Sequence, residues 1–266
     1  MSSSPPIVLT FAGSDPTGGA GLQADLLTLA SMGCHPLSVV TALTVQDTHG
    51  VESIEAVDSA RVRAQAETLL ADMRVAAFKL GVLGSVENIR VIADVLSDYP
   101  EVPVVLDPVF ASGRGEALAS QTMLEALREL ILPQSTIATP NSLEARRLAD
   151  GSSLAQCAAK LLDCGTEYVL ITGTHEAGEE VVNTLYDRGG VVREDRWQRL
   201  PDSYHGSGCT LASAIAAALA NGQGVPEAVR DAQEFTWQSL ASGFKAGSGQ
   251  LIPDRFFWAR ESEGTK

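Results

Sequence analysis

Tyr204-His205-Gly206-Ser207-Gly208-Cys209-Thr210-Leu211, running on into Ala212-Ser213-Ala214-Ile215-Ala216-Ala217-Ala218-Leu219-Ala220, joins a glycine-framed polar turn to an alanine-rich helical run. The first turn of a helix leaves amide N–H groups without intrahelical acceptors. The helix dipole adds partial positive charge at the same end. Glycine lets an anion approach the backbone, so Gly206, Ser207 and Gly208 suit a phosphate or a developing oxyanion. Cys209 stands in this turn, and a thiol at a helix N-terminus tends toward a lowered pKa, which predicts a thiolate near neutral pH. A helix cap beside a small buried cysteine is the plainer reading of the same residues.

Outward from this turn, short apolar runs alternate with helical periodicity. Strands are expected at 7–12, 37–43, 76–80, 102–106, 135–138 and 168–171. Helices are expected at 22–32, 59–73, 85–96, 120–132, 143–148, 153–163, from Gly206 onward and at 226–244. Segments 181–186 and 190–197 read as antiparallel edge strands. The alternation predicts an α/β fold: a central, mostly parallel sheet with helices on both faces and a small antiparallel edge. One domain is expected over 1–266, with 1–6 as a disordered tail. Gly13, Gly81, Asp107, Asn141 and Gly173 each follow a strand, and ligands of open α/β sheets bind along that edge.

The chain has 266 residues, 45% of them hydrophobic and 20% charged, with a formal net charge of −14. That balance opposes non-specific nucleic-acid binding, which needs clustered Lys and Arg. Cysteines 34, 157, 164 and 209 form no CxxC pair, and a reducing cytoplasm is the expected setting. No signal-peptide pattern is evident, and no apolar stretch reaches the roughly 18 residues that span a bilayer.

The loop Gly13-Ser14-Asp15 with Gly18-Gly19-Ala20-Gly21 does not fit GxGxxG, and GxxxxGK[ST] is absent, so neither a nicotinamide site nor a P-loop is expected. Asp25 lies just past this loop and reads as a ligand contact or, more plainly, as a surface charge on the first helix. Gln46 carries a donor and an acceptor, which suits a ring with alternating nitrogens; a polar loop residue is its bland reading. His49 is given no role. Asp107 and Glu144, at neighbouring strand ends, suit Mg²⁺, although Glu144 also reads as a first-turn helix residue with Asn141 as cap. Thr172-Gly173-Thr174-His175 offers a hydroxyl and backbone N–H groups to a nucleotide phosphate.

Together these segments resemble the ribokinase superfamily, and within it the hydroxymethylpyrimidine/phosphomethylpyrimidine kinases of thiamine biosynthesis. The resemblance runs from about residue 7 to about 258. It is carried by Ala12-Gly13-Ser14-Asp15, Gly18-Gly19-Ala20-Gly21, Gln23-Ala24-Asp25 and Thr41-Ala42-Leu43-Thr44-Val45-Gln46. It continues through Lys79-Leu80-Gly81-Val82-Leu83-Gly84, Asp107-Pro108-Val109, Thr139-Pro140-Asn141 with Glu144, and His205 to Leu211. It implies a pyrimidine pocket lined by Gly13, Asp25, Gln46, Val82 and Val109, with Asp25 and Gln46 bonding the ring. It implies an anion hole at Gly206, Ser207 and Gly208, and Cys209 where sugar kinases carry an Asp base. It further implies Mg²⁺ at Asp107 and Glu144, ATP phosphates near Asn141, Thr172, Gly173 and His175, and a homodimer; a monovalent cation is left open. A pyridoxal kinase of the same superfamily and a non-catalytic pyrimidine-binding module are the alternatives. The family often has a lysine where this chain has Thr172. It commonly has another before the Ser-Gly of the loop that here reads Phe110-Ala111-Ser112-Gly113-Arg114-Gly115, and 112–116 reads as a flap.

Overall fold

The computed structural model describes residues 4–110 and 119–260. Within them one sheet holds β1 (Ile7–Ser14), β2 (His35–Gln46), β3 (Val51–Ala56), β4 (Ala77–Leu80), β5 (Val104–Leu106), β6 (Ile137–Ala138), β7 (Tyr168–Ile171), β8 (Glu180–Asp187) and β9 (Gly190–Gln198). Their spatial order is β3-β2-β1-β4-β5-β6-β7-β8-β9. The strands from β2 to β7 pair in parallel, while β3 and the β8–β9 ribbon are antiparallel at opposite edges. The helices are α1 (Gly21–Ser31), α2 (Ser59–Asp72), α3 (Val86–Ser97), α4 (Gln121–Ala126), α5 (Ser142–Ala149), α6 (Leu154–Asp163), α7 (Ser207–Ala220) and α8 (Val225–Ala241). The expected α/β architecture is therefore present, with two antiparallel edges where one was expected.

Three local expectations are corrected. No strand is expected between 43 and 59, yet β2 runs on to Gln46 and β3 forms at Val51–Ala56; β3 is mostly exposed, so no apolar alternation marks it. Gln46 accordingly ends a strand. The helix expected at 120–132 stops at Ala126, passing into a π turn (Leu127–Ile131) and a 3₁₀ turn (Leu132–Gln134) that contains Pro133. Proline has no N–H to continue the ladder. Residues 1–3 of the expected tail, and the whole 112–116 flap with Arg114, lie outside the described residues. Pro6 is already paired, its carbonyl accepting from the His35 N–H at 2.8 Å.

The period of two along each strand splits the core between two faces. Leu9 and Phe11 of β1, Phe78 and Leu80 of β4, and Val104 and Leu106 of β5 pack with Val62, Ile89, Leu148 and Leu161 from α2, α3, α5 and α6. Val8, Ala77 and Val105 pack on the other face with Leu29, Ile215 and Val229 from α1, α7 and α8. Thr10 and Lys79 fall in register with this second set and are fully buried. The strand order reverses between β1 and β4, and α7 packs across β1, β4 and β5. Its N-terminus thus meets the sheet at the crossover where open α/β folds bind ligands.

Candidate active site

The turn before α7 is held by contact with the first glycine loop. Gly206 has φ +79°, and a β-carbon there would lie 2.0 Å from the Gly19 carbonyl oxygen, so only glycine fits. The Thr210 N–H makes the first intrahelical bond, to the Gly206 carbonyl at 2.9 Å. The amides of Ser207, Gly208 and Cys209 precede it. A β-carbon on Gly208 would stand 3.7 Å from an Asp107 oxygen, which places the acidic residue against this turn.

Asp15 secures the loop itself. Its carboxylate accepts from the Ala20 N–H at 2.7 Å, the Thr17 N–H at 2.8 Å and the Thr17 hydroxyl at 2.9 Å. The His205 Nε2 lies 2.9 Å away on the opposing turn. Burial works to raise the Asp15 pKa, but the bonds from His205, Thr17 and Ala20 prevail and hold it below the usual carboxylate value.

Cys209 links the turn to the pocket wall. Its charged neighbours are Lys79, Asp107 and Asp25. A β-carbon on Gly21 would lie 2.4 Å from the Gly13 carbonyl oxygen, and one on Gly13 would lie 3.6 Å from the Cβ atoms of Ala42 and Val82. Gly13, Val82 and the start of α1 at Gly21 therefore stand along one wall. The Gln46 amide donates to the Thr44 hydroxyl at 2.7 Å, and that hydroxyl donates to the Ser14 carbonyl at 2.8 Å. Half-buried Val109 donates its N–H to the Asp107 carbonyl at 2.9 Å.

The expected thiolate is corrected. Cys209 keeps some accessible surface, but protein atoms crowd its sulfur, and burial pushes the thiol up to about 12. Lys79 opposes that shift, while Asp107 and Asp25 add to it. Desolvation of the sulfur, with the Asp107 and Asp25 charges beside it, outweighs the helix N-terminus.

Asp25 is also corrected from its expected place against the ring. It exposes no surface, and its oxygens accept from the Thr10 hydroxyl at 2.9 Å and the Ser213 hydroxyl at 2.8 Å, with Lys79 Nζ at 2.8 Å. It lies beneath the cleft as the partner of Lys79. That lysine's Nζ is also 3.9 Å from Asp107. Burial opposes the ammonium, but Asp25, Cys209 and Asp107 outweigh it and raise its pKa. A β-carbon on Gly81 would sit 2.9 Å from Nζ, so glycine there makes room for the lysine. Sequence reasoning gave Lys79 no role; the available signal was a charge inside the buried run Ala77-Phe78-Lys79-Leu80.

Asp107 and Glu144 form the acidic wall. Burial raises Asp107 to about 6, against the pull of Lys79, and burial followed by the Asp107 charge raises Glu144 to about 8. Among the described residues Asp107 Oδ2 has no hydrogen-bond partner. Two desolvated carboxylates that repel each other, one with an orphan oxygen, fit Mg²⁺, which takes few protein ligands.

Asn141 caps α5 by accepting from the Leu143 and Glu144 N–H groups at 3.0 and 2.9 Å, and Glu144 accepts from the Asn141 N–H at 2.9 Å. Both readings of Glu144, helix cap and acidic wall, hold together. Asn141 bridges Thr172, whose N–H and carbonyl pair with Pro140 and Ser142. The Gly173 N–H donates to Asn183 Oδ1 at 3.1 Å, so it is not the free phosphate donor that was expected. The Thr172 hydroxyl remains, and His175 is exposed.

The family described as phosphomethylpyrimidine kinase matches residues 15–254. A hydroxymethylpyrimidine/phosphomethylpyrimidine kinase of Streptomyces coelicolor is 42% identical over 264 residues, spanning 96% of each chain. The structure of Staphylococcus aureus pyridoxal kinase in complex with AMP-PCP and pyridoxal aligns with TM-score 0.88 at 29% identity, covering 97% of this chain and 96% of that one. Phosphomethylpyrimidine kinase from Clostridium difficile aligns with TM-score 0.76 at 33% identity, covering 87% and 97%.

Proposed function

The chain belongs to the phosphomethylpyrimidine kinase family, and we propose on that basis that it phosphorylates 4-amino-5-hydroxymethyl-2-methylpyrimidine and then its monophosphate, with ATP, for thiamine biosynthesis. One observation carries the reading: the turn 206–209, the Asp107–Glu144 wall and the Gly13–Val82 wall meet at the β1/β4 crossover. Phosphoryl transfer needs positioning and charge neutralisation more than covalent chemistry. The flat ring lies against Gly13, Val82 and Val109, with Gln46 bonding its nitrogens. Amides of Gly206, Ser207, Gly208 and Cys209 receive the charge of the transferring group. Asp107 and Glu144 would hold Mg²⁺, which would supply charge neutralisation at the phosphates. Asn141 and the Thr172 hydroxyl lie toward the nucleotide phosphates, with His175 at the rim.

The raised Cys209 pKa changes how the hydroxyl is activated. A protonated thiol on the turn beside Asp107 orients the substrate hydroxyl in line, and the Asp107 carboxylate is the acceptor to which the proton can pass. We place the enzyme in the cytoplasm as a homodimer; exposed Leu43 and Val45 on β2 offer an apolar surface for the second copy.

Incubation with ATP and either the pyrimidine or pyridoxal, followed by mass spectrometry, tests the reading. Phosphorylated pyrimidine in clear excess is expected. Faster phosphorylation of pyridoxal, or no product from either, overturns it.

A further inference from the structure

We propose that Arg255 is a positioning residue that clamps the phosphoryl-binding turn to the first glycine loop; this rests on the kinase reading above. Arg255 is 2% exposed although it lies in the irregular C-terminal stretch. Its Nη2 donates to the Gly19 carbonyl at 2.6 Å and its Nη1 to the Gly18 carbonyl at 3.5 Å. Its Nε donates to the Thr210 hydroxyl at 3.1 Å, and that hydroxyl donates to the Gly206 carbonyl at 2.8 Å. One planar guanidinium thus grips both sides of the Gly19–Gly206 contact. A lysine has no rigid fork with which to do so.

The chain delivers this side chain from an anchored base. Leu251 pairs with the segment entering the turn, donating its N–H to the Ser203 carbonyl and accepting from the His205 N–H, each at 2.9 Å. The Asp254 N–H donates to the Ser239 carbonyl of α8 at 2.9 Å, and the Arg255 carbonyl accepts from the Ser31 hydroxyl of α1 at 2.5 Å. Asp15–His205 forms a second clamp on the same two segments. The amides of 207–209 are useful only if their direction is fixed before the phosphoryl group arrives, and displacement by about 1 Å can cost on the order of 100-fold in rate.

The test compares the full-length wild type with Arg255→Lys, Arg255→Ala and, as a control for lost stability, Leu161→Ala in α6. Two readouts are taken well below each melting temperature: steady-state kinetics, and hydrogen exchange of peptides covering 15–21 and 204–211. Both Arg255 variants are expected to lower kcat roughly 10–100-fold while KM for the pyrimidine moves less than about threefold. Exchange at 204–211 should accelerate, and guanidinium salts should restore part of the Arg255→Ala rate. Leu161→Ala should leave both readouts unchanged. Wild-type kcat in Arg255→Lys, or unchanged exchange at 204–211 in Arg255→Ala, overturns the proposal. If the wild type phosphorylates neither compound, the kinase reading fails, and the exchange arm still decides whether Arg255 holds the turn.

Discussion

The Lys79 ammonium lies 2.8 Å from the Asp25 carboxylate, and neither side chain has any accessible surface. Removing one member of a buried pair strands the other charge, at a cost of about 3–5 kcal/mol. Lys79→Met should therefore lower unfolding stability by that order in urea titrations. Lys79→Met combined with Asp25→Asn should recover much of it, because both charges are removed. A double variant no more stable than the single one would show that the pair is not the source of the loss.

Cys209→Ala should reduce kcat on the order of 100-fold, because the thiol that orients the hydroxyl is lost, with a modest change in KM. Near-normal turnover would remove Cys209 from the chemistry.

Reactivity separates thiol from thiolate at the same residue. A pKa near 12 leaves very little thiolate at neutral pH. Iodoacetamide should label the Cys209 peptide more slowly than a free thiol of pKa about 8.5, with no plateau near pH 9. Rapid labelling at neutral pH would contradict the burial argument.

Asp15 sets a pH dependence of stability. Its folded pKa is lowered, so its contribution is full above the unfolded value of about 3.9 and is lost as pH falls through the folded value. In that window the unfolded chain binds more protons, so stability rises with pH. Asp15→Asn should flatten the slope of urea stability below about pH 4. An unchanged slope would assign the acid sensitivity to other groups.

Gly206→Ala tests the close approach of the two loops. Its methyl would overlap the Gly19 carbonyl at a φ of +79°, costing on the order of 1–3 kcal/mol for the backbone alone. Turnover should fall further than stability, measured by comparing kcat with thermal unfolding. Full activity would show that the contact yields without cost.

Much of the site was legible because it is built from local signals. The glycine-framed turn at 206–209, the strand end at Asp107 and the Asn141–Glu144 spacing each show in a few consecutive residues and lie where they were expected, while Gly13 falls inside the last residues of β1 rather than past it. Lys79, Asp15 and Arg255 were not legible as site residues. Each acts through partners far away in the chain: Lys79 on Asp25 and Asp107, Asp15 on His205, Arg255 on Gly19 and Thr210.

Hydrophobic period, glycine placement and capping residues, all readable along the chain, determined the alternating strands and helices and the edge on which the polar residues gather. The tertiary structure alone decided the charge states and roles of those residues. It buried Asp25 under the cleft, used the Gly173 N–H for Asn183, and turned the expected thiolate of Cys209 into a thiol. Desolvation and pairing depend on what surrounds a group in three dimensions, and no spacing along one chain encodes them.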